Sequence, residues 1–153
     1  MLNRKIDSYL KDYYQKSSNA LLITGARQVG KTYSIREFGK TFKSFIEINF
    51  IENPDVVGLF KDAKGSADIL MRLSTITNVP MIKGDTLIFF DEVQECPDIV
   101  TAIKFLVDEG SYRYILSGSL LGVELKDIRS IPVGYMGVKE MFPLDFEWFI
   151  TCV

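Results

Sequence analysis

The sequence contains no histidine at all, and it contains only two cysteines. Without histidine, a zinc site with imidazole ligands and acid–base catalysis by an imidazole are both excluded. Cys96 and Cys152 are far apart and do not have the spacing of metal ligands. We therefore interpret both as reduced, partly buried small hydrophobic residues.

Long apolar runs and an excess of positive charge are also lacking. No run reaches the roughly 20 apolar residues that a membrane-spanning helix requires. Residues 1–16 are charged throughout and lack the apolar centre of a signal peptide. We expect a cytoplasmic protein with no membrane partner. The net charge of −2 does not support a nucleic-acid partner, although it leaves a local basic patch open.

The composition is that of one soluble domain, with 47% apolar and 25% charged residues among 153, which is long enough to bury a core. Apolar runs and alternation predict strands at 20–24, 44–50, 85–91, 113–117 and 135–141. Helical spacing and proline positions predict helices at 3–16, 30–38, from 53, at 68–76, from 97 and at 143–150. Because strands alternate with helices, we predict an α/β fold in which helices cover both faces of a mostly parallel sheet.

A loop typical of triphosphate binding follows the first predicted strand. Its residues match the pattern G-x-x-x-x-G-K-[ST] and are Gly25, Ala26, Arg27, Gln28, Val29, Gly30, Lys31 and Thr32. Glycine allows backbone amides to turn toward phosphate oxygens, and the N-terminus of the next helix favours anions. We expect Lys31 to reach the β- and γ-phosphates and the Thr32 hydroxyl to bind Mg²⁺. Arg27 either contacts phosphate or forms a surface ion pair.

Two carboxylates, Asp91 and Glu92, end the most apolar predicted strand. Asp91 can hold Mg²⁺ opposite Thr32, and Glu92 is suited to orienting or activating an attacking water. An acidic strand end taken alone also fits a simple helix cap. Beside the phosphate loop, however, the two motifs complete one metal site.

A further strand runs into Ser117 and Ser119. A polar residue at this strand end would lie near the γ-phosphate. A turn with a helix cap at Ser119 is an equally good interpretation of either serine taken singly.

The order of these motifs resembles the prokaryotic AAA-type P-loop ATPases that usually carry a C-terminal domain of unknown function. The matching stretches are ITGARQVGKT, LIFFDEVQECPD, YILSGSLLG, IPVG and FPLDFEWF, and the resemblance runs from about residue 2 to 150. It implies a three-layer αβα P-loop fold of the AAA type, in which the sensor strand lies between the P-loop strand and the acidic strand. It also implies ATP and Mg²⁺ as ligands, Lys31 and Thr32 in Walker A, Asp91 and Glu92 in Walker B, and Ser117 to Ser119 as sensor 1.

The chain departs from the family at Tyr135, where members generally have a basic residue after Pro-Val-Gly that could touch the γ-phosphate. Arg129 and Lys139 are nearby substitutes, although both also fit surface charges. The family's C-terminal domain is missing, so we expect residues 1–153 to be one ATPase domain from the N-terminus of a longer protein. Oligomerisation and a monomer both stay open.

The first functional hypothesis is hydrolysis of ATP to ADP and phosphate, with Lys31 stabilising charge and Glu92 positioning water. The second is a nucleotide-dependent switch with negligible turnover. A small-molecule kinase is disfavoured because the arginines are few and scattered, and a GTPase because no Asn-Lys-x-Asp element follows the P-loop. Residues that recognise adenine are not evident, since the region from Tyr9 to Tyr14 fits either the base or the core.

Overall fold

Five short segments, each rich in apolar residues, form the strands of one sheet in a computed structural model that describes residues 5–26, 30–119 and 134–142. The strands are β1 Ala20–Thr24, β2 Ser44–Asn49, β3 Thr86–Asp91, β4 Arg113–Gly118 and β5 Met136–Glu140. The α-helices are α1 Lys5–Lys16, α2 Lys31–Gly39, α3 Ser66–Ile76 and α4 Asp98–Glu109. Two 3-10 helices lie at Pro54–Leu59 and Val93–Glu95.

The described strands are all parallel and lie in the order β2-β3-β4-β1-β5. The predicted parallel sheet is therefore confirmed, and β4 lies between β1 and β3, as the resemblance implied. The helix predicted from residue 53 is instead the 3-10 helix Pro54–Leu59. The helix predicted at 143–150 lies outside the described residues.

Helices cover both faces of the sheet because side chains in each strand alternate between them. One face, which carries Leu21, Ile23, Leu87, Phe89 and Ile115, packs against apolar residues of α1 and α2. The opposite face, which carries Leu22, Ile48, Ile88, Phe90 and Leu116, packs against α3 and α4. This arrangement is the three-layer αβα sandwich of a P-loop AAA-like fold. Within the described ranges, no helix combines the length and apolarity needed to cross a membrane.

Helix α1 is fastened to the amino-terminal ends of the strands by side chains that bond to the backbone. Arg113 Nη2 donates to Tyr14 O at 2.8 Å and also to Ser17 O, and its guanidinium lies 5.0 Å from the centre of the Tyr14 ring. Tyr13 Oη donates to Ala20 O at 2.8 Å. Tyr14 itself is buried, and its hydroxyl donates to the carbonyl of Tyr114. These contacts favour the core interpretation of Tyr13 and Tyr14 over contact with a base.

Cys96 lies in the core between β3 and α4. Its side chain is completely buried, which corrects the expectation of partial burial. Burial raises the pKa of the Cys96 thiol to about 11, so the residue is a poor nucleophile at neutral pH. Cys152 lies outside the described residues.

Candidate functional site

The carboxyl-terminal ends of β1, β3 and β4 bring the predicted site residues to one edge of the sheet. Thr24 is in register with Gly118, and Asp91 is in register with Ser117. Neighbouring strands lie about 4.8 Å apart, so residues from three separate stretches of chain meet within one small region. Parallel topology produces this meeting, because every strand runs toward the same edge.

The glycine loop leaves β1 at this edge and enters α2. Gly30 precedes the helix with a φ of 90°, a left-handed conformation that glycine adopts without the cost that a side chain would add. The next residue, Lys31, is only 8% exposed, and its Nζ donates to Gly25 O at 2.8 Å and to Ala26 O at 2.7 Å. The lysine thus lies over the loop that it follows. The remaining loop residues, Arg27, Gln28 and Val29, lie outside the described residues.

Thr32 and Asp91 meet although 59 residues separate them. Thr32 Oγ1 donates to Asp91 Oδ2 at 3.1 Å, and the other carboxylate oxygen of Asp91 accepts from Glu92 N at 2.9 Å. The two residues predicted as metal ligands are therefore adjacent. Among the described residues, no group of three or more His, Cys, Asp and Glu side chains could hold a metal ion by itself. A cation here would need further oxygen ligands, which is how Mg²⁺ is held with a substrate phosphate.

The Asp91 side chain is 5% exposed, and this burial affects the pKa of its carboxyl. Desolvation raises the pKa of its carboxyl above the ordinary value, the hydrogen bond from Thr32 lowers it, and the nearby charge of Glu92 raises it further. A cation bound beside Asp91 would act in the opposite direction and favour the carboxylate.

Glu92 occupies an unusual backbone position, with φ of 58° and ψ of 49°. This left-handed conformation is uncommon for a residue with a side chain and is typical of functional sites. Its carboxylate Oε2 accepts a hydrogen bond of 2.5 Å from Nε2 of Gln94, a residue that the sequence motifs did not single out. The sequence feature that could have identified Gln94 is a side chain with a hydrogen-bond donor two residues after a predicted catalytic carboxylate.

A cavity of about 410 Å³ joins the two motifs. Its lining includes Lys31 and Thr32 from the loop and Asp91 and Glu92 from the end of β3. The lining also includes Asn49, at the end of β2. Asn49 Oδ1 accepts from the amides of Ile51 and Glu52 at 2.9 and 3.0 Å, which fixes the turn that forms this wall.

The two predicted sensor serines differ in their surroundings. Ser117 is fully buried beside Asp91, and its Oγ has no hydrogen-bond partner among the described residues. Strand alternation places Ser117 and Asp91 on the same face of the sheet, the face that α2 covers. Ser119 follows the end of β4 and is partly exposed. The structure therefore brings Ser117, rather than Ser119, next to the carboxylate.

Tyr135, which stands where the family generally has a basic residue, lies at the opposite edge of the sheet. Its carbonyl accepts from Ala20 N at 2.9 Å, at the amino-terminal start of β1. The five residues of β1 span about 16 Å at about 3.3 Å per residue, so the strand separates Tyr135 from the loop. Lys139 is exposed, with Nζ 4.7 Å from the centre of the Tyr9 ring, as a surface charge would be. Arg129 lies outside the described residues.

Comparisons with known proteins identify a family to which this chain belongs. A family model described as "AAA domain" matches residues 17–150. A solved structure titled "Structure of C. elegans PCH-2" is similar to this chain with 12% sequence identity and a TM-score of 0.49. That similarity covers 92% of this chain and 42% of that one, so the present chain spans less than half of its length. No curated protein matches the sequence. Because the family model matches most of its length, the chain belongs to the AAA domain family and is a nucleotide-binding, ATPase-like domain.

Proposed function

We propose that this domain binds ATP with Mg²⁺ and hydrolyses it to ADP and phosphate. The observation that carries the proposal is the 3.1 Å hydrogen bond between Thr32 and Asp91. It joins the glycine loop to the acidic strand end at a cavity that Lys31 and Glu92 also line. The proposed phosphate-binding loop, the proposed metal ligands and the proposed base would thereby lie within one site.

Phosphate binding would be the task of the loop and the start of α2. The first amides of a helix have no partner within the helix, and the helix dipole favours an anion at this end. Lys31 Nζ would exchange the carbonyl oxygens of Gly25 and Ala26 for β- and γ-phosphate oxygens. The exchange moves one cationic group between neighbouring acceptors, so it requires no rearrangement of the sheet.

Metal binding would use Thr32 Oγ1 and the carboxylate of Asp91. Mg²⁺ prefers six oxygen ligands and commonly takes only one or two from protein side chains, the rest being phosphate oxygens and waters. When bound, the ion supplies positive charge that neutralises the phosphates and stabilises the transition state. The raised pKa of the buried Asp91 carboxyl fits a residue whose charge is balanced by a ligand.

Glu92 would serve the water that attacks the γ-phosphate. The water oxygen forms a bond to phosphorus and gives its proton to the carboxylate, while the bond from phosphorus to the β–γ bridging oxygen breaks. ADP leaves with that electron pair, and Lys31 stabilises the developing charge. Ser117, which is in register with Asp91 on the neighbouring strand, would serve as the sensor residue.

The nucleoside would lie on the side of β1 away from Asp91. Since Thr32 and Asp91 mark the γ-phosphate end, the base must extend toward β5. A second cavity of about 230 Å³ lies there, lined by Ile6, Met141 and Phe142 among others. Met141 N donates to Thr24 O at 2.7 Å, which places this cavity beside the start of the glycine loop. Lys5, Lys139 and Glu140 also line this cavity, and its apolar side chains suit a flat purine ring.

The test is binding of ATP with and without Mg²⁺, measured by calorimetry, alongside steady-state phosphate release from the same sample. We expect Mg²⁺-dependent binding, and we expect Glu92→Gln to lower kcat by about 10²- to 10³-fold while ATP affinity is kept, because only the base is removed. Glu95→Gln is the matched control, since Glu95 is an exposed carboxylate in the same turn.

Each other outcome has a defined meaning. Tight binding without phosphate release would favour a nucleotide-dependent switch, or a site that is completed by a C-terminal domain or a second copy of the chain. Turnover that is unaltered in Glu92→Gln would remove Glu92 from the mechanism. No binding of ATP would contradict the proposal as a whole.

A further inference from the structure

The turn that follows β3 fixes the position of Glu92 more firmly than an ordinary loop would. Glu95 N donates to Glu92 O at 3.1 Å, and Cys96 N donates to Val93 O at 3.0 Å. Val93 and Cys96 are buried in the core. These contacts hold the backbone of this 3-10 helix beside Glu92.

Gln94 is the side chain of this turn that contacts the carboxylate. Its Nε2 donates to Glu92 Oε2 at 2.5 Å. Glu92 lines the cavity with Lys31 and Thr32, whereas Gln94 does not line it. Among the described residues, Glu92 is therefore the contact through which Gln94 can influence chemistry in the cavity.

The direction of the Gln94 amide follows from the charge of its partner. An ionised carboxylate only accepts hydrogen bonds, so the amide nitrogen must face Glu92 and the carbonyl oxygen must face away. That carbonyl oxygen, Oε1, is buried and has no hydrogen-bond partner among the described residues. A buried acceptor without a partner costs free energy. A side chain that merely stabilised the turn would gain nothing from this cost, whereas functional sites commonly carry such costs.

We infer, on the basis of the proposed hydrolysis, that Gln94 is a positioning residue for Glu92. Its amide holds Oε2, so Oε1 of Glu92 is the oxygen that takes the proton from the attacking water. The water oxygen bonds to the γ-phosphorus, the bond to the β–γ bridging oxygen breaks, and ADP leaves with the electron pair. Gln94 itself gains and loses no proton, because an amide does not titrate in this range.

Gln94→Met tests this role because methionine keeps the side-chain length and removes both the donor and the unpaired acceptor. We expect kcat for phosphate release to fall about tenfold, the scale of one hydrogen bond to a charged group. The Kd for ATP should change less than about twofold, since Gln94 does not touch the cavity. In Gln94→Glu a second carboxylate replaces the donor and repels Glu92, so we expect a larger fall of about a hundredfold.

Gln15→Met is the matched control, because Gln15 is exposed on α1. It should leave kcat and the Kd for ATP unchanged. Thermal unfolding of each variant establishes that it is folded. If Gln94→Met does not fold, Gln94→Glu, which keeps the shape of glutamine, is compared with the wild-type chain instead.

A double-mutant cycle separates positioning from a structural role. If Gln94 acts through Glu92, then Glu92→Gln/Gln94→Met has the same kcat as Glu92→Gln alone. Equal losses in both backgrounds, or a loss of ATP affinity that parallels the loss of kcat, would overturn the role of Gln94. Turnover that Glu92→Gln abolishes but both Gln94 variants retain would also overturn it, and would leave the proposed function intact. Absence of turnover in the wild-type chain would instead contradict the proposed hydrolysis, and the role of Gln94 with it.

Discussion

Both edges of the sheet carry buried or half-buried polar side chains, but these side chains have different kinds of partner. At the amino-terminal edge, Arg113 and Tyr13 donate to backbone carbonyls of neighbouring segments. At the carboxyl-terminal edge, Thr32 bonds to the side chain of Asp91 and Gln94 bonds to that of Glu92, while Lys31 donates to carbonyls of the loop that it follows. Side chains that bond to the backbone of a separate segment fasten elements of the fold together. Side chains that line a cavity, as those of Lys31, Thr32 and Asp91 do, can exchange partners with a ligand.

The two edges also differ in how many local features lower the stability of the fold. The carboxyl-terminal edge contains Glu92 in a left-handed backbone conformation and Asp91 as a buried carboxyl with a raised pKa. Both features lower stability in the absence of a ligand. We conclude that residues at the amino-terminal edge mainly stabilise the fold. Residues at the carboxyl-terminal edge lower its stability and form the proposed site. Substitutions at the amino-terminal edge should therefore mainly lower the free energy of unfolding. Substitutions at the carboxyl-terminal edge should mainly change ATP binding.

The largest expected effect is loss of nucleotide binding in Lys31→Ala. Two or more charge-assisted hydrogen bonds to phosphate would be lost, so the Kd for ATP measured by calorimetry should rise about 10³-fold. The free energy of unfolding should fall by about 1 kcal/mol, the scale of the local hydrogen bonds that Lys31 donates to Gly25 O and Ala26 O.

Lys40→Ala is the control for this prediction. Lys40 lies at the end of the same helix and forms an exposed ion pair with Glu37, which contributes little to stability. It should bind ATP as the wild-type chain does. Unaltered ATP affinity in Lys31→Ala would contradict the assignment of the carboxyl-terminal edge as the site.

The next effect is loss of stability in Arg113→Met. This variant removes the guanidinium that donates to Tyr14 O and Ser17 O and lies over the Tyr14 ring. We expect the free energy of unfolding, measured with denaturant, to fall by about 2–4 kcal/mol. ATP affinity of the folded fraction should be unchanged, because β4 separates Arg113 from the cavity.

Arg36→Met provides the comparison for Arg113. Arg36 pairs with Glu47 at 2.6 Å, but its side chain is 58% exposed, so its removal should cost about 1 kcal/mol or less. If Arg113→Met were as stable as Arg36→Met, the amino-terminal edge would not have the stabilising role that we assign to it.

The smallest effect is a gain of stability in Asp91→Asn, measured without nucleotide. The folded pKa of Asp91 is raised, so the unfolded chain loses this proton first as pH increases. Stability therefore declines between the ordinary aspartate pKa of about 3.9 and the raised folded pKa, and it stays lower at neutral pH. Asparagine removes this decline, and it can keep both contacts if its oxygen accepts from Glu92 N and its amide nitrogen donates to Thr32 Oγ1.

The free energy of unfolding of Asp91→Asn should thus exceed that of the wild-type chain at neutral pH, and the difference should disappear below about pH 4. In the same variant, ATP affinity should no longer depend on Mg²⁺. Asp108→Asn, at an exposed position on α4, should show neither change. A less stable Asp91→Asn at neutral pH would mean that Asp91 stabilises the fold, and the contrast between the edges would fail.

Much of the fold was predictable from local pattern. The strands that hold Leu22, Ile88 and Ile115 are short apolar runs, and their limits in the structure differ from the predicted limits by only a few residues. The Pro54 segment was predicted as an ordinary helix, because proline at a helix start does not distinguish an α-helix from a 3-10 helix. The resemblance to AAA-type ATPases supplied the position of β4 between β1 and β3, which local pattern cannot determine.

The candidate site was predictable only in part. The spacing from Gly25 to Thr32 and the carboxylates at the end of β3 are local features, so sequence alone indicated them. Gln94 was missed because its role depends on a turn conformation. The role of Tyr135 stayed open because a chain position does not reveal which end of a strand lies beside the loop.

The sequence by itself determined which chemical groups are present: a phosphate-binding pattern, two carboxylates at a strand end, and no histidine. Only the tertiary structure decided which of those groups meet. Asp91 reaches Thr32 across 59 residues because parallel strands end at the same edge, and Tyr135 lies away from them because β5 begins at the other. Local sequence sets the composition of each segment, whereas distances between segments depend on strand order and register, which the whole core fixes together.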